Sequence, residues 1–120
     1  MGASLLQEKI DKLQDIAGIL LHSGENKGYI YTDDFSRLNK EIHELINELY
    51  PCRGATAEQE ADLCLAILHG YSVSMYANPE DDEKKRDVLA RVRIIMKTLS
   101  PSRSREQLLS IYKDAIRTFA

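Results

Sequence analysis

The chain has 120 residues, 43% hydrophobic and 29% charged, with a formal net charge of −3. That length is enough for one domain with its own core, and the balance of apolar and charged residues excludes both a disordered segment and a membrane-embedded chain. The small net charge conceals a polarity that points to partners: residues 1–77 carry 6 basic and 12 acidic side chains, "EDDE" at 80–83 is wholly acidic, and residues 84–120 carry 10 basic and 3 acidic ones.

The chain opens on "MGASLLQEKIDKLQ", which is charged and amphipathic and does not read as a signal peptide. Position 6 is Leu, where a myristoylation signal needs Ser or Thr. No run approaches the ~18 apolar residues of a membrane span. Two cysteines, Cys52 and Cys64, make no disulfide framework. The expectation is a cytoplasmic protein with reduced thiols and no membrane partner.

Five helical patterns follow one another. In the first, Leu6, Ile10, Leu13, Ala17 and Leu20 recur at 3–4-residue spacing, and the pattern stops near "HSG" at 22–24. The irregular "ENKGYIYT" leads to a second helix starting near Asp33. Phe35, Leu38, Ile42, Leu45 and Leu49 line one of its faces, and Arg37, Lys40, Glu41, Glu44 and Glu48 the other. "PCRGA" turns the chain.

In the third pattern Thr56 and Gln59 form a T-x-x-Q capping box. At about 100° per residue, Glu58, Asp62, Leu65, His69, Ser72 and Tyr76 share one stripe. Most of the remaining circumference is apolar or small, which predicts a helix in the middle of a domain. Ala66, Gly70 and Ser74 offer a neighbour close approach. Gly70 costs roughly 1 kcal/mol relative to Ala in a helix interior, so a packing reason is expected.

Asn78 and Pro79 read as cap and first-turn proline of the fourth helix, with the acidic run over its positive dipole end. Val88, Leu89, Val92, Ile95, Met96 and Leu99 face inward. Ser100 and Pro101 repeat the device for the fifth helix, whose core face is Leu108, Leu109, Tyr112, Ala115, Ile116 and Phe119. That pattern reaches Ala120 without a stop signal, so the expectation allows a longer native C-terminus. The reading is an all-α, compact bundle of about five helices, one domain over 1–120, with a central, largely buried third helix. A tetratricopeptide array does not fit.

Catalytic chemistry finds no foothold. Cys64 and His69, five positions apart on one helix, point about 140° away from each other and cannot form a nucleophile–base pair. Cys64 falls on the apolar side, where a reduced cysteine is a small hydrophobe. Cys52 lies in a turn beside Arg53 with no assignable base. His22, His43 and His69 sit on three helices without metal-ligand spacing, the glycines form no phosphate loop, and no G-x-S-x-G elbow occurs. No catalytic residue, metal or cofactor is expected.

Binding surfaces remain. The stripe Glu58, Asp62, His69 and Tyr76 is a polar window on an otherwise buried helix, joined by Tyr31 and Arg37 as partner-binding candidates. In the blander alternative, Tyr31 and Tyr76 only cap the core with their hydroxyls outward. Arg86, Arg93 and Lys97 share one stripe of the fourth helix, with Arg103 and Arg105 following. This secondary face suits a protein or, less well, nucleic acid, because aromatics are not interleaved and acidic groups border it.

The segments "IYTDDFSRLNKEI" (30–42) and "GATAEQEADLCLAILHGYSVSMYANPEDDE" (54–83) resemble the UpxZ proteins of bacterial capsular polysaccharide loci. The likeness rests on Ile30, Tyr31, Phe35, Arg37, Leu38 and Asn39, then Leu49 and Tyr50. It continues with Gly54, Thr56, Glu58, Glu60, Ala61, Leu63, Cys64 and Leu65, and with Tyr71, Tyr76 and Asn78. It covers roughly residues 30–99. The fourth and fifth helices are more basic here than the family pattern, and its longer acidic tail is missing. The resemblance implies a non-enzymatic regulator that inhibits NusG-like transcription antitermination factors of other capsule loci. The partner it implies is such a factor, with the RNA polymerase elongation complex or nascent RNA as the alternative.

Overall fold

The 3–4-residue apolar spacing becomes five α-helices in the computed structural model, which describes residues 3–21, 32–73 and 79–119. They are α1 (Ala3–Leu21), α2 (Thr32–Leu49), α3 (Ala57–Val73), α4 (Pro79–Met96) and α5 (Arg103–Phe119), and no strand occurs among the described residues. The expected helix end at "HSG", Tyr31, Tyr76 and Asn78 lie outside the described residues.

α3 packs against all four other helices. Ala61, Leu63, Cys64, Ala66, Ile67, Leu68 and Tyr71 are buried around most of its circumference. Fully buried side chains such as Leu63 and Ile67 are worth about 1.5–3 kcal/mol each. Around them close Ile10 and Leu13 of α1, Ile42 and Ile46 of α2, Val88 and Val92 of α4, and Leu108 of α5. The packing reason for Gly70 is visible: a Cβ there would meet Ile46 Cδ1 at 3.0 Å and Ile42 Cγ2 and Leu13 Cδ1 at 3.3 Å. α1 and α2 both lie close over it.

Thr56 caps α3 as its sequence predicts, its Oγ1 accepting from Gln59 N at 3.1 Å. The return bond differs from a simple capping box, because Gln59 Oε1 accepts from Ala55 N (2.8 Å), one residue before the cap. At α5 the expected start is displaced. Backbone bonds carry the turn after α4 as far as Leu99, whose N donates to Ile95 O at 2.9 Å, and Leu99 is buried. Ser100 and Pro101 are therefore left exposed in the connection. Ser102 is the cap, its Oγ accepting from Arg105 N at 3.2 Å.

The acidic run at the start of α4 is not all solvated: Asp81 is buried. Its Oδ2 and the Tyr71 hydroxyl are buried with no hydrogen-bond partner among the described residues. Burial, then the nearby Asp81 charge, pushes the Tyr71 phenol up.

Candidate partner-binding site

The outward stripe of α3 is where its sequence places it. Glu58 and Ser72 are exposed, and Asp62, Leu65 and His69 are half-buried, while their neighbours on the helix are in the core. The stripe is not a flat window. Its second half forms the floor of a groove of about 410 Å³ between α1 and α5, lined by Gln14, Leu65, His69, Gln107, Ser110, Ile111 and Asp114.

His69 Nδ1 lies 2.9 Å from Gln14 Oε1. Oε1 can only accept, so the imidazole donates through Nδ1. This bond fixes the ring against α1, and farther up the same helices Gln59 Nε2 donates to Gln7 Oε1 at 3.3 Å. Leu65 and Ile111, packed against the core, give the groove an apolar base. Polar groups rim it, an arrangement that suits a protruding side chain of a partner.

Of the partner-binding candidates among the described residues, His69 lines this groove, together with Leu65 of the same stripe. Glu58 and Asp62 continue its stripe toward the start of α3. Arg37 is exposed on α2 and is not part of the groove. Gln14, Gln107, Ser110, Ile111 and Asp114 carried no sequence signal, because the walls exist only once α1 and α5 pack on α3.

The basic candidates lie on α4, in the turn after it and in the first turn of α5. Arg86, Arg93, Lys97 and Arg103 are exposed and Arg105 is half-buried. Arg93 Nε donates to the Tyr112 hydroxyl at 2.7 Å, which ties the exposed face of α4 to α5.

One basic residue leaves this surface altogether. Arg91 is buried, with its side chain 9% exposed against 15% for Glu60 of α3. Its Nη2 donates to Glu60 Oε1 at 2.9 Å and to Cys52 O at 3.0 Å, and Nη1 donates to Tyr50 O at 3.1 Å. Burial alone would lower the Arg91 pKa, but the hydrogen bond to Glu60 and the charges around it outweigh that and raise it. Glu60 Oε1 also accepts from Gly54 N at 3.0 Å. The clasp fixes the turn between α2 and α3, and a sequence signal for it existed: position 91 lies in the inward register of Val88, Val92 and Ile95.

The thiols do not form a catalytic set. Cys64 is fully buried, and burial pushes its thiol up to about 12, so it stays protonated and a poor nucleophile. Cys52 is half-buried, its Sγ 3.4 Å from Glu48 O. No described helix is long and apolar enough to cross a membrane.

Residues 10–113 match the UpxZ family of transcription anti-terminator antagonists. The fold is similar to the crystal structure of a transcription anti-terminator antagonist UpxZ from Bacteroides uniformis ATCC 8492. The TM-score is 0.78 at 34% identity, over 89% of this chain and 66% of that one. The present chain thus corresponds to slightly less than two thirds of that protein's length. A search of the curated proteins finds no match. Gly54, Thr56 and Glu60, which hold the turn before α3, are among the residues that carry the sequence likeness, and the family match over most of the chain establishes that it belongs to the UpxZ family of transcription anti-terminator antagonists.

Proposed function

We propose that this chain is a non-enzymatic cytoplasmic regulator that binds a NusG-like transcription antitermination factor and blocks its action, limiting expression of competing capsular polysaccharide operons. The observation that carries the reading is family membership in anti-terminator antagonists. A fixed groove supports it: three helices hold its walls, and its polar rim surrounds an apolar floor. Such a body acts by holding a partner, and an antagonist needs nothing more than to cover the surface by which its target engages polymerase. His69 and the adjoining Asp62 and Glu58 are the first contact residues of this reading, with Arg37 on α2 beyond them.

A second reading places the contact on the elongation complex or nascent RNA, through Arg86, Arg93, Lys97, Arg103 and Arg105. It draws on the excess of basic over acidic residues after position 83.

Calorimetry with purified NusG-like factors from the cognate and from foreign capsule loci separates the two. Selective binding to foreign factors is the expected result. Binding to no factor, together with retention on nascent leader RNA, would transfer the function to the second reading.

A further inference from the structure

The outward face of α4 is more than a basic stripe. In chain order its exposed residues are Asp82, Glu83, Arg86, Asp87, Ala90, Arg93 and Ile94, continued by Lys97 in the turn that follows. Ile94 is 67% exposed, the most exposed large hydrophobic side chain among the described residues. One exposed isoleucine alone means little, but its setting is specific. Arg93 and Lys97 flank it, and one turn back the helix carries only the small, exposed Ala90. The Arg93 guanidinium is held by the Tyr112 hydroxyl, so less side-chain freedom is lost when it meets a carboxylate. At the other end of the helix the face turns acidic at Asp82, Glu83 and Asp87, and Asp87 is fixed by the Tyr50 hydroxyl at 2.9 Å.

We infer that this face is a second docking surface, built for a protein partner that offers a shallow apolar pocket rimmed by carboxylates. The inference rests on the factor-binding reading above and assigns it a surface beyond the groove. Charge complementarity selects the partner. A phosphate backbone is negative along its whole length, so the Asp82–Glu83–Asp87 end would repel it. It also has no apolar pocket for Ile94, and nucleic-acid patches set aromatics among their cations for stacking, whereas α4 itself carries none and the tyrosines that reach its face from α2 and α5 engage Asp87 and Arg93 through their hydroxyls. A protein with carboxylates around an apolar depression satisfies Arg93 and Lys97 and buries Ile94, the arrangement of an anchor inside a polar rim. α5 stands between this face and the groove, sending Tyr112 to Arg93 and Gln107, Ser110, Ile111 and Asp114 to the groove. One partner straddling α5 can therefore reach both.

The test titrates the wild-type chain, Ile94→Asp and Lys97→Glu against a purified NusG-like antitermination factor and, separately, against a single-stranded leader RNA. Both substituted side chains are exposed, and thermal unfolding confirms that the variants fold. The expected result is factor binding weakened at least about tenfold by Ile94→Asp. Lys97→Glu should weaken it less and remove part of its salt dependence, with RNA binding absent throughout. Factor binding unchanged by Ile94→Asp overturns the surface and leaves the factor-binding reading standing. RNA binding by the wild-type chain that falls with Lys97→Glu, while factor binding does not respond to Ile94→Asp, overturns it in favour of nucleic acid. A wild-type chain that binds no factor removes the reading and the surface together.

Discussion

Arg91 of α4 and Glu60 of α3 meet through three N–H···O contacts of 2.9, 3.1 and 3.2 Å in a site that is almost closed to solvent. The same guanidinium holds the carbonyls of Tyr50 and Cys52, and the same carboxylate holds Gly54 N. Two helices and the turn between α2 and α3 are thereby joined through one ion pair. Replacing such a pair with apolar residues is often neutral, whereas removing one member strands a buried charge. Glu60→Gln and Arg91→Leu should each cost about 3–5 kcal/mol in urea unfolding. Arg91→Lys should not rescue, because an ammonium cannot span the carboxylate and two carbonyls at once. A single variant losing less than about 1 kcal/mol would refute the clasp as the support of the turn.

The glycines give an internally controlled pair. A Cβ on Gly54 would lie 2.6 Å from Glu60 Cα and in contact with Glu60 N, both backbone atoms that cannot move aside without unseating the start of α3. Gly54→Ala should cost about 3 kcal/mol and weaken the Arg91 clasp with it. Gly18 in α1 has nothing within 4 Å of the same construction, so Gly18→Ala should stabilise by about 0.5–1 kcal/mol through the helix. Equal effects of the two substitutions would contradict this packing.

How far sequence reading reaches is clearest on α4. Its apolar spacing predicts the inward set Val88, Leu89, Val92, Ile95, Met96 and Leu99; all are buried except Met96, which is half-buried against the core. The same spacing turns Arg91 inward, yet a tally of basic residues treats it as surface. Only the carboxylate arriving from α3 makes its burial tolerable, and one helix's pattern cannot convey that. The start of α5 departs from the Ser100–Pro101 signal for a related reason: Leu99 must reach the core, so the turn runs on and Ser102, not Ser100, becomes the cap. The groove shows the limit most plainly. The α3 stripe was readable from its period, whereas Gln14 on one wall and Gln107 on the other are about 90 residues apart in the chain and meet the stripe only through tertiary packing.

Alkaline stability should carry the signature of the core thiol. Cys64 is held at about 12 in the fold against an ordinary value of 9.0, through burial. Hydrogen bonding to Asp87 also raises Tyr50. A group whose folded pKa is raised stabilises fully below its unfolded pKa, and that stability is lost as pH climbs toward the folded value. The unfolded chain ionises first, so the window opens near pH 9 and closes near 12. Cys64 alone should cost about 2 kcal/mol between pH 8.5 and 10.5. Urea unfolding across that range should show a shallower decline for Cys64→Val than for wild type. Parallel slopes would mean the thiol is not as buried as its packing indicates.

The groove can be tested without touching the core. Ser110 is exposed on α5 at the edge of the space over His69 and Leu65. An indole at that position would project into the ~410 Å³ over His69 and Leu65 and narrow the entrance, while Leu108 continues to anchor α5 from its other side. Surface substitutions of this kind usually stay within about 0.5 kcal/mol. If a factor side chain enters the groove, Ser110→Trp should weaken factor binding at least about tenfold with an unchanged unfolding midpoint. His69→Ala should weaken it less, by loosening the wall that Gln14 holds. Factor binding that survives Ser110→Trp while still responding to Ile94→Asp would move the whole contact to the outer face of α4. The groove would then be a packing feature of the three helices and not a site.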